Sequence, residues 1–404
     1  MKMGSPTEEF VARPQAVKQN APLEAPEGVA NLPTSPPKAR SGAGLPFVSV
    51  CTPTFNRRPF IQTMFTMFTN QTYPKDRLEW IIVDDGTDKI SDLVLSSGIP
   101  QIRYFDVGEK LPLGAKRNLM HTYCRPESEF IVYMDDDDYY PPERVAHAVG
   151  MLMKHPEALC AGASELYIVF KGLKEPGSIT LYQAGPYSKQ HATAGTFAFR
   201  RTLLREQRFE DSASLAEEKV FLRNYTVPFV QLDPLKTILV FSHEHNTFDK
   251  RKMLENPHPQ YFKESPRSVA EFIRGCGAGG NEESVHRFFV RDIDALLRAY
   301  EPGRPMHKPD VLVQMRNIEA ERQRTMRETH TKQQQELMET RVVVDRGDGS
   351  PPQSLSLHEC ARLLQTQHNI ILELTQKCKR LETQLDAQAR SKNAVVESLP
   401  AINV

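Results

Sequence analysis

Apolar positions along this chain change rhythm several times, and each change marks an element. Phe47 to Phe55, F-V-S-V-C-T-P-T-F, has buried-strand character, and Asn56-Arg57-Arg58-Pro59 follows as a loop into a helix start. From Ile61 to Thr69 the apolar residues recur at helical spacing. L-E-W-I-I-V-D-D-G, Leu78 to Gly86, reads as a second strand ending in two acids and a glycine turn. Q-I-R-Y-F-D-V from Gln101 is a third strand, and Leu113 to Met120 opens another helix. F-I-V-Y-M-D, Phe130 to Asp135, is a fourth strand, and it runs straight into consecutive aspartates. Strands alternating with helices predict an α/β fold with a Rossmann-like, doubly wound, mostly parallel sheet. In such sheets ligands bind beyond the carboxyl ends of the strands, where the polar residues gather here.

Further along, the pattern is mixed from Ser164 to about Phe248. Strand-like E-L-Y-I-V-F, T-F-A-F and T-I-L-V-F surround a helix that holds E-E-K-V-F-L-R. Residues 262–300 read as helical, interrupted by G-C-G-A-G-G at 275–280. Ser356-Leu357-His358-Glu359 is a capping-box helix start. Beyond it Leu357, Cys360, Leu364, Gln367, Ile371, Leu374, Cys378, Leu381 and Leu385 alternate three and four apart, the heptad seam of a coiled coil. The segment 310–341 is helical and highly charged but keeps a poor seam, and 345–352 is a turn that would let the two helices fold back. The expected organisation is a disordered Pro-rich tail at 1–46, an α/β domain at 47–250, a helical extension at 251–309, and a helical coiled-coil region at 310–404 that self-associates.

Composition narrows the picture. The 404 residues carry 51 Lys+Arg against 51 Asp+Glu, a net charge of zero that argues against a general nucleic-acid binder. The six cysteines, at 51, 124, 160, 276, 360 and 378, show no C-x-x-C spacing and read as reduced thiols, not a disulfide frame or zinc site. With no signal-like N-terminus and no apolar run of membrane-spanning length, the expectation is a soluble cytoplasmic protein.

The candidate chemistry centres on Y-M-D-D-D-D-Y-Y-P-P, Tyr133 to Pro142. A calcium loop needs glycine at its sixth position and glutamate at its twelfth, where this chain has Tyr140 and Ala146. A solvated acidic turn does not suit a buried strand feeding four acids flanked by tyrosines. The remaining reading is a carboxylate pair at i, i+2 that binds Mg²⁺ or Mn²⁺ and, through it, a diphosphate, since Mg²⁺ takes one or two carboxylates together with substrate phosphates.

Four segments, V-S-V-C-T-P-T-F-N-R, I-I-V-D-D-G-T-D, G-A-K-R-N and Y-M-D-D-D-D-Y-Y-P-P-E-R-V, resemble in that order the inverting GT-A glycosyltransferases of family 2, over roughly residues 47–250. The resemblance implies a GT-A fold and a nucleotide-sugar donor. It places Thr52, Pro53, Thr54 and Asn56 around the nucleotide, Asp85 on the N3–H of the base, and Asp84 in support. A carboxylate on N3–H favours uracil, hence a UDP-sugar. Lys116 and Arg117, at a helix start, would sit near the nucleotide. Asp135, Asp136 and Asp137 stand as the D-x-D equivalent. Asp137 is then the metal ligand, Asp135 reaches the ribose or the metal, and Asp138 is a supporting residue or a helix N-cap. S-L-A-E-E-K-V-F-L-R resembles the family's E-D-x-x-L-x-x-R helix and makes Glu218 the proton acceptor, with Glu217 beside it. This chain departs from that motif by using Glu where the family has Asp. Gly195, in A-G-T-F-A-F-R-R, would let backbone approach the donor sugar, and His245, ahead of Asn246-Thr247, would face the metal or the diphosphate.

The implied activity is metal-dependent, inverting transfer of a sugar from a nucleotide-diphosphate sugar to a hydroxyl on a glycan, lipid-linked or protein acceptor. Two alternatives compete. A nucleotidyltransferase would want a glycine-rich first strand–helix turn, which C-T-P-T-F-N-R-R lacks. The other alternative is a catalytically degenerate GT-A binding module tethered by the coiled coil.

Overall fold

Strand β1 (Phe47–Thr54) organises the fold because its alternate side chains feed two opposite cores. Val48 and Val50 join one apolar cluster and Cys51 the other. The computed structural model describes residues 44–215, 217–255, 257–273, 281–345, 349 and 351–397. The tail expected to be disordered therefore lies outside the described residues as far as 43, as do G-C-G-A-G-G and part of the turn at 345–352.

Helix α1 (Arg58–Thr69) follows β1 and buries Phe60, Ile61, Met64, Phe65 and Phe68. It leads to β2 (Leu78–Asp84), all of whose residues are buried, then α2 (Ser91–Ser97) and β3 (Ile102–Asp106). Helix α3 (Leu113–Tyr123) crosses to β4 (Ser128–Tyr133), and α4 (Arg144–Lys154) to the short β5 (Cys160–Gly162). The hairpin of β6 (Leu166–Lys171) and β7 (Ile179–Ala184) comes next, followed by β8 (Ala198–Arg200). Then come α5 (Glu218–Phe221), β9 (Phe229–Gln231), β10 (Leu239–Phe241) and α6 (Lys252–Glu255).

The main sheet has the order β3-β2-β1-β4-β8-β5-β9. Its first four strands run parallel, and β8 is antiparallel to both neighbours. This is the doubly wound, GT-A-like arrangement expected. The order reverses at β1, so the crevice between β1 and β4 opens above their carboxyl ends, the usual place for a ligand.

Trp80 on β2 locks the sheet to α1. It is fully buried, stacks on Phe68 with centroids 4.2 Å apart, and meets the edge of Phe65. Such pairs add about 0.5–1.5 kcal/mol beyond area burial. Its indole N–H donates to the Thr52 hydroxyl at 2.9 Å, which in turn donates to the Met134 carbonyl at 2.6 Å. Thr52, expected beside the nucleotide, is thus fully buried and ties β1, β2 and the end of β4 together.

A second sheet has the order β10-β6-β7-β11, where β11 is Phe262–Glu264. Residues 262–264 therefore form an edge strand, antiparallel to β7, where helix was expected. Phe262 is drawn in because it stacks on Tyr182 of β7 with centroids 4.9 Å apart. Helices α7 (Val269–Phe272), α8 (Asn281–Arg287) and α9 (Ile293–Arg298), with the π-helical turn Phe288–Asp292 between the last two, then bury Phe272, Val285, Phe289, Ile293 and Leu297 in the same core as α1.

The described residues fall into two compact units divided between Val311 and Leu312. Helix α10 (Pro309–Glu339) begins in the first. In the second, β12 (Arg341–Val344) pairs antiparallel with β13 (Gln353–Ser356), and α11 (Leu357–Glu397) follows. At its start Ser356 and Glu359 exchange capping-box hydrogen bonds. No described helix is long and apolar enough to cross a membrane. The five described cysteines are free thiols.

Candidate functional site

The acidic loop is held by its own flanks. The Asp135 backbone N–H donates to the Tyr140 hydroxyl at 2.8 Å, and that hydroxyl donates to the Gly195 carbonyl at 3.1 Å. Asp138 accepts the Phe241 N–H at 3.0 Å, fastening the loop to β10. Asp138 is therefore a brace rather than an N-cap, and the residue in the N-cap position of α4 is Glu143. The result sorts the four acids: Asp136 and Asp138 are buried, while the side chains of Asp135 and Asp137 keep 24% and 16% exposure.

Asp135, Asp136 and Asp137 line a cavity of about 130 Å³ at the carboxyl ends of β1 and β4, together with Pro53, Phe55, Arg57, Lys110, Lys116 and Arg117. Like charges this close need compensation. Arg57 supplies it, with Nη2 3.1 Å from Asp137 Oδ2 and Nε 3.5 Å from Asp136 Oδ1. His243 adds Nε2 at 3.3 Å from the same Asp137 oxygen. Burial opposes ionisation of Asp137, yet Arg57 and the His243 hydrogen bond outweigh it and hold the carboxyl well below its usual range. Asp136 lacks so good a partner, and burial pushes it up to about 7. Asp138 is pushed up to about 8 by burial and then by Asp137.

Asp135 Oδ1 and Asp136 Oδ2 are buried with no hydrogen-bond partner. Orphaned carboxylate oxygens in a cavity suit a hard divalent cation. No group of three or more His, Cys, Asp or Glu side chains is set to hold a metal among the described residues.

His243 rather than His245 meets the acids. Nδ1 of His243 accepts the His245 N–H at 3.2 Å, and Nε2 lies 2.8 Å from Asn246 Nδ2 and 3.3 Å from Asp137 Oδ2. Burial holds the imidazole neutral, lowered to about 3. His245, expected on the metal, is fully buried against Tyr300. The β-bend at 243–246, closed by the Asn246 N–H to the His243 carbonyl, turns the two rings apart.

The other expected nucleotide contacts divide. Pro53, Lys116 and Arg117 line the cavity; Asn56 and Asp84 do not. Asn56, at φ 52°, accepts the Thr87 and Asp88 N–H groups at 2.8 and 2.9 Å and so joins the loops after β1 and β2. Asp84 accepts from the Gly86 and Ile90 N–H groups and the Tyr104 hydroxyl, which shapes the turn after β2. Asp85 accepts the Leu111 N–H at 2.8 Å and is ion-paired with buried Lys116, whose Nζ also donates to the Thr54 carbonyl. Gly195 has a different task from the one expected: a Cβ there would lie 2.8 Å from Asp135 Oδ2, so its bare backbone makes room for the acid loop.

Arg117 connects the acid loop to the glutamate pair. Its Nε donates to Glu217 Oε1 at 3.0 Å, its Nη2 lies 3.7 Å from Asp135 Oδ1, and its guanidinium rests 4.4 Å from the centre of the Tyr133 ring. Glu217 is thereby committed to an ion pair. Glu218, at the start of α5, is partly buried, and burial and then the Glu217 charge push it up to about 7. A carboxyl poised there exchanges protons at neutral pH.

Sequence reasoning ranked His243 behind His245 and passed over Arg57 and the outer wall of the cavity, formed by Lys308, Asp310 and Val311. Arg57 ends the V-S-V-C-T-P-T-F-N-R motif, beside residues preferred to it. Lys308-Pro309-Asp310 carries no spacing that would mark it. Asp310 reaches back to Lys110 Nζ at 2.7 Å and accepts the Ser214 hydroxyl at 2.8 Å.

The family model of glycosyl transferase family 2 matches residues 49–208. Poly(ribitol-phosphate) beta-N-acetylglucosaminyltransferase TarS of Staphylococcus aureus is 28% identical over 114 residues, 26% of this chain and 19% of that protein. The putative colanic acid biosynthesis glycosyl transferase WcaA of Escherichia coli is 28% identical over 153 residues, 36% of this chain and 52% of its own. The chain thus spans about a fifth and about half of the curated relatives it matches. Among solved structures, S. aureus TarS 1–349 in complex with UDP-GlcNAc gives a TM-score of 0.37 at 18% identity, covering 61% of this chain and 71% of that one. Mannosyltransferase PcManGT from Pyrobaculum calidifontis, in complex with GDP-Man and Mn²⁺, gives 0.40 at 15%, covering 69% and 81%.

Proposed function

We propose, from the match of the glycosyl transferase family 2 model to residues 49–208, that the cavity above β1 and β4 binds a nucleotide-diphosphate sugar and that the chain transfers the sugar, with inversion, to a hydroxyl acceptor. The observation that carries the reading is the Arg117 bridge, which joins Asp135 of the acid loop to Glu217, the neighbour of Glu218. This supports a reading in which the diphosphate and its cation bind at the acid loop and Glu218, pushed up to about 7, serves the acceptor.

A UDP-sugar is the favoured donor. Asp85 sits at the end of β2 with both oxygens engaged by Leu111 and Lys116, a carboxylate fixed to accept from the N3–H of uracil once the loop at Leu111 yields. Drug-sized ligands fill about 300–1,000 Å³. The 130 Å³ cavity therefore takes the diphosphate, and the base and sugar extend along the crevice. Asp137 and Asp135, with Asp136 beside them, would hold Mn²⁺ or Mg²⁺. Bound there, the cation offsets charge on the departing diphosphate as a Lewis acid.

Glu218 takes the acceptor hydroxyl's proton as that oxygen attacks the anomeric carbon from the face opposite the diphosphate. Glu217 keeps its ion pair with Arg117, and the negative charge it presents maintains Glu218 as a base near pH 7. His243 meets Asp137 and fixes the orientation of that carboxylate, as second-layer partners do at metal sites.

In this account residues 47–250 carry the chemistry, 251–309 complete the crevice, and 310–404 bring copies together. The exposed seam of α11 supports the last point: Leu364, Ile371, Leu374, Leu381 and Leu385 are each about half exposed or more, an apolar stripe at heptad spacing suited to a second copy. The test is transfer and donor hydrolysis, measured as nucleotide release one sugar nucleotide at a time with Mn²⁺ present. Activity with a UDP-sugar is expected. Release from none of the UDP-, GDP- or dTDP-sugars would defeat the reading.

A further inference from the structure

Resting on the nucleotide-sugar reading above, we infer that Lys308, a hundred residues beyond the family domain, is the cation that grips the donor's diphosphate. The cavity is lined by five cations, and four are already committed. Arg57 is paired with Asp136 and Asp137, Lys116 with Asp85, Arg117 with Glu217 and Asp135, and Lys110 with Asp310 at 2.7 Å. Lys308 is the exception among the described residues. The residue is 4% exposed, and its ammonium meets only neutral acceptors, the Thr247 hydroxyl at 3.1 Å and the His245 carbonyl at 3.4 Å.

A buried ammonium with neutral acceptors alone is costly, and the usual remedy is an anion. Burial and then Arg57 drive this amine toward its neutral form, with Asp137 and Asp136 acting against them. A diphosphate entering the cavity with a cation on the aspartates would give Lys308 the partner it lacks. Charge-assisted bonds of this kind are the stronger hydrogen bonds.

The segment that carries Lys308 is fastened at several points. Pro302 accepts from Asn56 Nδ2 at 2.9 Å, and the Tyr300 hydroxyl donates to Asp88 at 2.7 Å. Gly303 packs so tightly on His245 that a Cβ would lie 2.5 Å from its Nδ1. Past Lys308, Asp310 is anchored by Lys110 and Ser214. The ammonium is thus presented from a fixed wall opposite the acid loop rather than from a free tail.

The test is calorimetric titration of the full chain with UDP and GDP, and with uridine and guanosine as diphosphate-free controls, all with Mn²⁺. Wild type is compared with Lys308→Met, Lys308→Gln and Lys308→Arg. Lys308→Met and Lys308→Gln are expected to weaken the preferred nucleoside diphosphate at least about tenfold while leaving its nucleoside unchanged. Lys308→Arg is expected to stay within a few-fold of wild type. Unchanged diphosphate affinity in the Met and Gln variants would overturn the role of Lys308 and leave the donor reading standing. Equal loss of nucleoside and diphosphate would show a merely structural lysine and overturn it too. Should Lys308→Met fail to fold, Lys308→Gln decides by the same comparison. Failure of wild type to bind either diphosphate would overturn the donor reading and this inference together.

Discussion

At the scale of single residues, the site is an arrangement of charges that cannot all be satisfied from within the chain. Arg57 and His243 hold Asp137 ionised, while Asp136 and Asp138 are pushed toward neutrality and Asp135 keeps a buried oxygen without a hydrogen bond. Glu218 is the group whose titration shows in activity. It accepts a proton only when ionised, so kcat/KM is expected to rise with pH through about 7 and level off above it. Glu218→Gln should lower kcat by about 10²–10⁴-fold and flatten that limb, leaving only the share due to Asp136, which is also pushed up to about 7. A second limb from His243 is not expected between pH 5 and 8, because its imidazole, lowered to about 3, stays neutral there. Arg57→Ala removes a positive charge that favours ionisation of Asp136 and Asp137, so the pH midpoint of Mn²⁺ binding should move to more alkaline values. Titrating Mn²⁺ binding between pH 6 and 8 by calorimetry checks this.

At the scale of elements, β1, β2 and β4 were legible because their apolar runs are short, unbroken and end in polar residues. The acid loop was legible because a buried strand feeding four carboxylates admits few readings. What stayed hidden depends on partners far away in the chain. Phe262 reads as part of a helix until Tyr182 and the free edge of β7 are present to stack and pair with it. The choice between His243 and His245 turns on a bend closed by a backbone hydrogen bond, which composition does not encode. Gly195 looked like an approach point for a sugar, and its neighbour is the Asp135 carboxylate. Gly195→Ala is accordingly expected to displace Asp135 and cut activity while the fold persists, with near-native circular dichroism as the check. Trp80→Ala has the opposite signature. It removes the stack on Phe68 and the Thr52 hydrogen bond, and should cost about 3–5 kcal/mol in denaturant unfolding.

At the scale of the whole molecule, residues outside the family domain complete the crevice. The match ends at 208, yet Glu217 and Glu218 follow it, His243 lies beyond them, and Lys308 and Asp310 form the outer wall. Lys308 and Asp310 escape a motif search because the segment after α9 is placed by its bonds to Asn56, Asp88, Lys110 and Ser214, not by local spacing. The apolar positions at heptad spacing read from the sequence lie exposed along α11, and the proposal above is that a second copy covers them. Ile371→Glu with Leu374→Glu should therefore turn an oligomer into a monomer by light scattering at micromolar concentration, with activity per chain retained. A monomeric wild type would contradict that assignment.

The central claim is that the acid loop and the glutamate pair form one catalytic centre for sugar transfer. Its most direct test is nucleotide release from a UDP-sugar with Mn²⁺ present, comparing wild type with Asp137→Ala and Glu218→Gln. Both variants are expected to remain folded and to lose most of the wild-type rate, Asp137→Ala with weakened Mn²⁺ dependence and Glu218→Gln without it. Wild-type rates in both variants would contradict the account.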